Sequence, residues 1–323
     1  MIELLKSRNI KVFTPNGITD GIKDKIKYHY TSTSGLLSIL KCGTIRFTDA
    51  RFMNDKSELL YFIDILADFL KENDGYPKCV EAFEKLLLDG NSLDTYKKAD
   101  ISTLQFNGID ILKGKKIRQF VFCLSKSKDS LNMWNYYTHS NNYQGYNIGI
   151  KVEEFLKTFE KRCLLPIDPF YIYYGKVVYV ENNQKQGIIR EICNDLESQD
   201  LPMELRILSL SEYITSNGLF YKNKAFKNEE EYRVVIAVSE DTLHSTTRNY
   251  GKDVENSDFK LDFYERNGVV VPCLSVRFDK ISIKSIMIAP TIDEKLATSS
   301  LEEFLEINGY KAKVSNSKIP IRF

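Results

Sequence analysis

Hydrophobic positions along this chain switch between two periods, and each switch marks an element. "KIKYHYT", starting at Lys25, reads as a short aromatic strand. "GLLSILKCG" repeats its apolar residues at helical spacing, with Ser34 suited to the N-cap and Gly43 to the closing position. "TIRFTD" returns to strand character and "ARFMNDKSE" to a polar turn, in which Ser57 suits the cap of the next helix. "SELLYFIDILADFLKE" and "YPKCVEAFEKLLLD" predict two helices, and weak patterning from about 90 to 115 predicts loop. "KIRQFVFCLS" predicts a strand entering the core, and "LNMWNYYTHS" a short aromatic helix capped by Asp129 or Ser130. "YQGYNIGIKV" and "FYIYYGKVVYV" are strongly β. A mostly helical stretch from Asn183 to Phe220 precedes three β-branched strands, "EEEYRVVIAV", "GVVVPCLSVRF" and "ISIKSIMIAP". The helix "DEKLATSSLEEFLEING" follows, and "KAKVSNSKIPIRF" ends the sequence.

Strands that cluster with helices inserted between them, rather than alternating strictly, predict a mixed α+β fold around a largely antiparallel sheet. No Pro/Gly-rich linker interrupts the 323 residues, so the expectation is a single domain over 1–323 with a helical insert at about 57–115. A net charge of +1 advertises neither nucleic acid nor membrane, although a local basic face would be hidden in that sum. The sequence has no run of roughly 18 apolar residues and no signal-like start, so the expectation is a soluble cytoplasmic protein. The six cysteines never form CxxC and accompany only three histidines, which argues against a structural zinc site or other metal. Cys42 and Cys123 sit in apolar contexts and read as buried free thiols.

Four stretches carry candidate chemistry. His29 and Thr31 share one strand face, where an imidazole and a hydroxyl suit a ribose or amide; a satisfied surface histidine explains them equally well. Arg51, Asn54, Asp55 and Glu58 crowd a short span that also reads as turn plus cap. Ser125 stands at a strand end, and Leu131, Trp134 and Tyr137 lie at helical spacing, either as a ligand-facing group or as an aromatic core helix. Glu229, Glu231 and Arg233 are expected on one strand face, either as an exposed ion pair or as carboxylates that stabilise positive charge developing on a sugar. No nucleophile elbow, phosphate-binding loop or zinc-protease motif is present.

The order "YHYTS…LLSIL…G.I.F…MNDKSE", "FCLS…D…MW.YY…GY.IGI", "F.NEEEYR.VI" and "I..I.IAP" resembles the bacterial family DUF2971 over roughly Lys25 to Phe323. A weaker similarity is to the ADP-ribosyltransferase fold of the DNA-modifying DarT toxins and the poly-ADP-ribose polymerases, whose first strand bears His-x-Thr and whose late strand bears a catalytic glutamate. His29-Tyr30-Thr31 matches the first element and Glu231 the last, while Glu229-Glu230-Glu231 fits the Glu-x-Glu of arginine-type transferases. Ser125 or the Tyr136/Tyr137 pair stands for the middle element, which is neither a clean Ser-Thr-Ser nor a lone tyrosine.

This similarity implies a split, largely antiparallel sheet and an NAD-consuming ADP-ribosyltransferase, a bacterial toxin or anti-phage effector. It implies NAD held by His29 and Thr31, with Asn54 and Ser125 nearby, and nicotinamide stacked on Trp134 or Tyr137. Arg51 or Arg233 would neutralise the pyrophosphate, Glu231 would act at the ribose and Glu229 on the acceptor. The acceptor stays open among protein, nucleic acid and small molecule. With water as acceptor the same scaffold is an NAD glycohydrolase, and a non-catalytic nucleotide-binding or protein-interaction module is the alternative from another class.

Overall fold

A computed structural model describes residues 10–13, 25–53, 58–88, 117–138, 144–162, 170–180, 185–239, 243 and 259–321. In chain order these residues form β1 (Ile10–Phe13), β2 (Ile26–Thr31), α1 (Thr33–Cys42), β3 (Thr44–Asp49), α2 (Glu58–Glu72), α3 (Pro77–Leu88) and β4 (Ile117–Ser125). There follow α4 (Leu131–Tyr137), β5 (Tyr146–Lys151), α5 (Val152–Arg162), β6 (Phe170–Lys176), β7 (Val178–Val180), α6 (Lys185–Ser198), α7 (Met203–Asn217) and β8 (Tyr221–Asn223). The last elements are β9 (Glu231–Ser239), β10 (Phe259–Arg266), β11 (Val269–Arg277), β12 (Ile283–Ile288), α8 (Glu294–Ile307) and β13 (Lys313–Asn316).

The class is mixed α and β with a largely antiparallel sheet, as the pattern of elements predicts. Eleven strands share one sheet along the path β1-β6-β9-β4-β2-β5-β12-β13, and a branch β10-β11-β3 joins at β4. Only β1 with β6 and β12 with β13 run parallel in it, while β7 and β8 make a separate parallel pair. Strand β10 has no counterpart in the sequence reading. It is the other arm of a hairpin through Asn267 and Gly268, whose φ values of 52° and 77° suit a tight turn with both central residues left-handed.

The branch point at β4 shapes everything nearby. One edge of β4 pairs with β9 along its full length, from Ile117 opposite Ser239 to Ser125 opposite Glu231. The other edge is shared: β3 meets it at Phe120 and Val121, and β2 meets it at Ser125. The Cys123 carbonyl falls in the gap between those two pairings, and His29 Nδ1 donates to it at 3.0 Å. A carbonyl only accepts, so the neutral His29 carries its proton on Nδ1. The ring also packs on Phe122, with centroids 4.9 Å apart.

Alternation sorts the two faces of the sheet. Phe120, Phe122, Leu124, Tyr232, Val234, Ile236 and Ile148 point into one core, roofed by α1, α5 and α8. Val121, Val235 and Ala237 point the other way, towards Leu219 and Phe220. Each buried Phe or Ile contributes about 1.5–3 kcal/mol, so these interleaved rows set the register. Helices α2, α3, α6 and α7 pack on one another around a second apolar core that reaches Tyr221. The helical excursion expected at 57–115 thus finds its packing partners in 185–217, much later in the chain.

Two local expectations are corrected. Ser32, not Ser34, caps α1, because its hydroxyl accepts the Gly35 N–H at 3.1 Å; Gly43 closes the helix at φ 62° as predicted. Cys42 is exposed and Cys123 is half-buried, since Lys41 and Cys42 lie on the outward side of the last turn of α1 and β4 ends beside the fork. Ser57 lies outside the described residues.

Gly145 is required by close approach. A Cβ there would sit 2.5 Å from Thr138 Cγ2 and 2.6 Å from the Thr31 carbonyl oxygen. Gly145→Ala is expected to lose about 1–3 kcal/mol in urea unfolding, whereas Gly187→Ala on open helix surface gains about 0.5–1 kcal/mol. Burial pulls His29 below its ordinary pKa of 6.5. The unfolded chain then binds a proton that the folded chain refuses, so stability is full above pH 6.5 and falls on acidification below it. His29→Gln, which keeps a donor for Cys123, should flatten that slope in unfolding measured between pH 7 and 5.

Candidate functional site

At the start of β9 the chain leaves a 3-10 turn, Lys224–Glu229, through Glu230. The backbone of Glu230 is left-handed at φ 43°, an uncommon conformation for a residue with a Cβ. Three contacts hold it there. Its N–H reaches the Lys227 carbonyl, its own carbonyl accepts Lys126 N–H at 2.9 Å, and its carboxylate accepts the Ser127 hydroxyl. The bend places Glu229 on the turn rather than on the strand face with Glu231 and Arg233, which corrects the alternation expected from sequence. It nevertheless brings the Glu229 carboxylate back towards that of Glu231.

The two carboxylates meet across a lysine that the sequence reading did not single out. Lys222 Nζ donates to Glu229 Oε2 at 2.7 Å and to Glu231 Oε2 at 3.3 Å. Arg233 grips Glu231 with both forks, Nε to Oε1 at 2.7 Å and one terminal nitrogen to Oε2 at 2.9 Å. Its other terminal nitrogen donates to the Leu219 carbonyl at 2.5 Å. The Tyr179 hydroxyl accepts the Glu231 N–H at 2.7 Å, and the Lys222 ammonium lies 4.5 Å from the centre of the Phe226 ring. All four charged side chains are buried, Arg233 completely. Two positive and two negative groups sum to zero, which is what allows them to leave water together.

Burial alone would push the Glu231 carboxyl up. The Arg233 guanidinium and the Lys222 ammonium outweigh it and bring its pKa down to about 2. Tyr137, half-buried at the end of α4, faces the same group. Burial first, and then the charges of Glu229 and Glu231, keep its phenol protonated well beyond the ordinary range. The Cys123 thiol also hydrogen-bonds Glu231, in keeping with its place opposite Arg233 on the neighbouring strand.

The remaining candidates lie elsewhere. Because Tyr28, Ser125 and Glu231 are paired neighbours, they share a face, and His29 and Thr31 occupy the opposite one, with Phe122 and Tyr232. The Thr31 hydroxyl lies against the backbone of Gly35, where a Cβ would come within 2.1 Å of it. Ser125 is buried and braces the turn: it donates to the Glu229 carbonyl at 2.7 Å and accepts Ser127 N–H at 3.1 Å.

Trp134 is core. Its Nε1–H donates to Asp129 at 2.8 Å and its ring meets Tyr30 edge-on at 4.7 Å. The same Asp129 carboxylate accepts the Ser317 hydroxyl and the Lys318 N–H, so it ties the chain after β13 to α4 and caps no helix. Leu131, expected on the buried face of α4, is 45% exposed. Arg51 is engaged by the buried Asp49, which Arg118 also holds, at 2.8 and 2.6 Å. Asp49 pairs with Phe120, five residues along β4 from Ser125, or about 16 Å at strand spacing. Asn54 and Asp55 lie outside the described residues.

A charged quartet of this kind has a measurable signature. With a folded pKa near 2 against an ordinary 4.5, ionised Glu231 contributes stability that is complete above pH 4.5 and lost as pH falls through about 2. Arg233→Met should cost about 3–5 kcal/mol in urea unfolding at pH 7, because it strands a buried carboxylate. It should also shrink the loss of stability between pH 4.5 and 2, because Glu231 without the guanidinium no longer keeps so depressed a pKa.

No curated protein and no solved structure matches the chain. The profile of a family described as protein of unknown function (DUF2971) matches residues 133–234. That span holds Trp134, Tyr137, Lys222, Glu229, Glu231 and Arg233 and leaves His29, Thr31, Arg51 and Ser125 outside, so the chain resembles that family across the stretch that builds the quartet.

Proposed function

We propose that the protein is an NAD-consuming enzyme of ADP-ribosyltransferase type, with Glu231 as the carboxylate that favours the oxocarbenium-like transition state at the nicotinamide ribose. The observation that carries this reading is a buried carboxylate kept ionised by Arg233 and Lys222, beside the ring of Tyr137. Fixed negative charge in a water-poor setting suits positive charge developing on a sugar, because it needs no reorganisation during the reaction.

The half-buried Tyr137 supplies an aromatic surface for the nicotinamide, in place of the enclosed Trp134. Glu229 would orient or deprotonate the acceptor, with Lys222 holding its carboxylate. His29, Thr31 and Arg51 have no part in this version: the first two lie across the sheet, and Asp49 occupies the third. The acceptor is a protein, a nucleic acid or a small molecule, and with water as acceptor the reaction becomes NAD hydrolysis. A toxin or anti-phage effector is the setting such chemistry suits.

A second reading, a nucleotide-binding or protein-interaction module without chemistry, is favoured by the saturation of Glu231. A carboxylate offers about four acceptor positions. Two donors of Arg233, the Lys222 ammonium and the Cys123 thiol already address them.

Incubation with NAD labelled in the nicotinamide ring decides between the readings. The enzyme reading expects free nicotinamide from the wild type and a loss of about 100-fold or more in Glu231→Gln. Tyr137→Leu, at the edge of the quartet, should lower turnover while the unfolding transition persists. Calorimetric nucleotide binding without nicotinamide release selects the module. Neither release nor binding removes both.

A further inference from the structure

Cys79 on α3 and Cys193 on α6 stand 114 residues apart in sequence, yet their sulfurs lie 3.2 Å apart in the helical core. Non-bonded heavy atoms ordinarily settle at about 3.5–4.0 Å, so packing has already pressed the two thiols together. Both side chains are fully buried among apolar residues, and both are free. Forming a bond of about 2.05 Å requires an approach of only about 1.2 Å.

The surrounding contacts hold the two helices in that register. The Cys79 N–H donates to Glu197 Oε1 at 2.9 Å, and Lys78 Nζ donates to the carbonyls of Glu197 and Gln199, each at 3.2 Å. Neither cysteine lines the solvent-open cavity of about 700 Å³ formed by Glu72, Asn73, Tyr76, Asn194 and Glu197 among others, and both are fully buried, so an oxidant reaches the sulfurs when α3 and α6 part locally.

We propose that Cys79 and Cys193 form an oxidation site that closes into an intramolecular disulfide when the protein meets a hydroperoxide. One of the two sulfurs attacks the peroxide: an S–O bond forms, the O–O bond breaks, and a sulfenic acid and one water result. The other sulfur, 3.2 Å away, then displaces the hydroxyl: the S–S bond forms, the S–O bond breaks, and a second water leaves. Two electrons pass from the two thiols to one hydrogen peroxide, and both thiol protons end in water. The product staples α3 to α6 and closes a long loop through the chain. This site is independent of the NAD reading.

The test uses the full chain carrying Cys42→Ser, which removes an exposed thiol that would otherwise link one chain to another. After treatment with hydrogen peroxide, remaining thiols are blocked with N-ethylmaleimide in denaturant and peptides are mapped without reduction. The expected product is a cross-link between the peptides holding Cys79 and Cys193, with two thiols lost per chain. Dithiothreitol should reverse it, the melting temperature should rise on oxidation, and cross-linking should quicken as pH is raised. Cys193→Ser should leave Cys79 alkylated. Should that variant fail to fold, the map of the Cys193-containing chain decides alone. Recovery of both cysteines alkylated, recovery of either as sulfinic acid, or a cross-link from either to another cysteine overturns the proposal.

Discussion

A guanidinium with no exposure to water has to be neutralised where it stands, and Arg233 is such a group, set on a central strand of the sheet. The chain around it is arranged to meet that demand. Glu231 comes two residues earlier on the same face, the Leu219 carbonyl takes a remaining donor, and the left-handed turn at Glu230 returns Glu229 so that Lys222 can complete a neutral set. The 3-10 segment Gly218–Phe220, strand β8 and the turn Lys224–Glu229 are consequently tied to β9 by these contacts as well as by apolar packing. Any substrate using Glu231 must enter this network and exchange places with one of its donors.

The fork at β4 has a second consequence. Where β2 and β3 diverge, a carbonyl is left between them, and His29 fills the opening with a hydrogen bond and an aromatic contact. That makes His29 a keystone of the branch on the face roofed by α1, α5 and α8, away from the quartet. Asp129 has a comparable place on the other side, where it joins Trp134 to the chain end after β13 and so steadies the short helix that carries Tyr137. A seven-residue helix would be marginal without such ties.

Most of the strands and helices are legible from period alone: β4, β9, β11 and β12 show β-branched runs, and α1 to α3 show apolar repeats. Strand β10 escaped because Asp262, Glu265 and Arg266 interrupt its apolar pattern, and its stability comes from pairing with β11. At the site, Glu231, Arg233 and Tyr137 stand out as residue types at telling spacings. Lys222 does not, because a lone lysine seven residues before Glu229 resembles any solvated cation until the turn closes. The three lysines at 222, 224 and 227 ahead of Glu229–Glu231 were the signal available for it.

The linear sequence by itself determined the class of fold, the two periodicities and the presence of a charged strand mouth and of an aromatic helix, because those follow from local pattern. Which groups share a face was decided only in three dimensions. A residue's side of a sheet depends on the register of neighbouring strands, and the β2–β4 pairing puts Tyr28, not His29, beside Ser125 and Glu231. The partnership of Cys79 with Cys193 and the meeting of Lys222 with two glutamates have the same origin. Both arise from packing between segments whose sequences carry no record of each other.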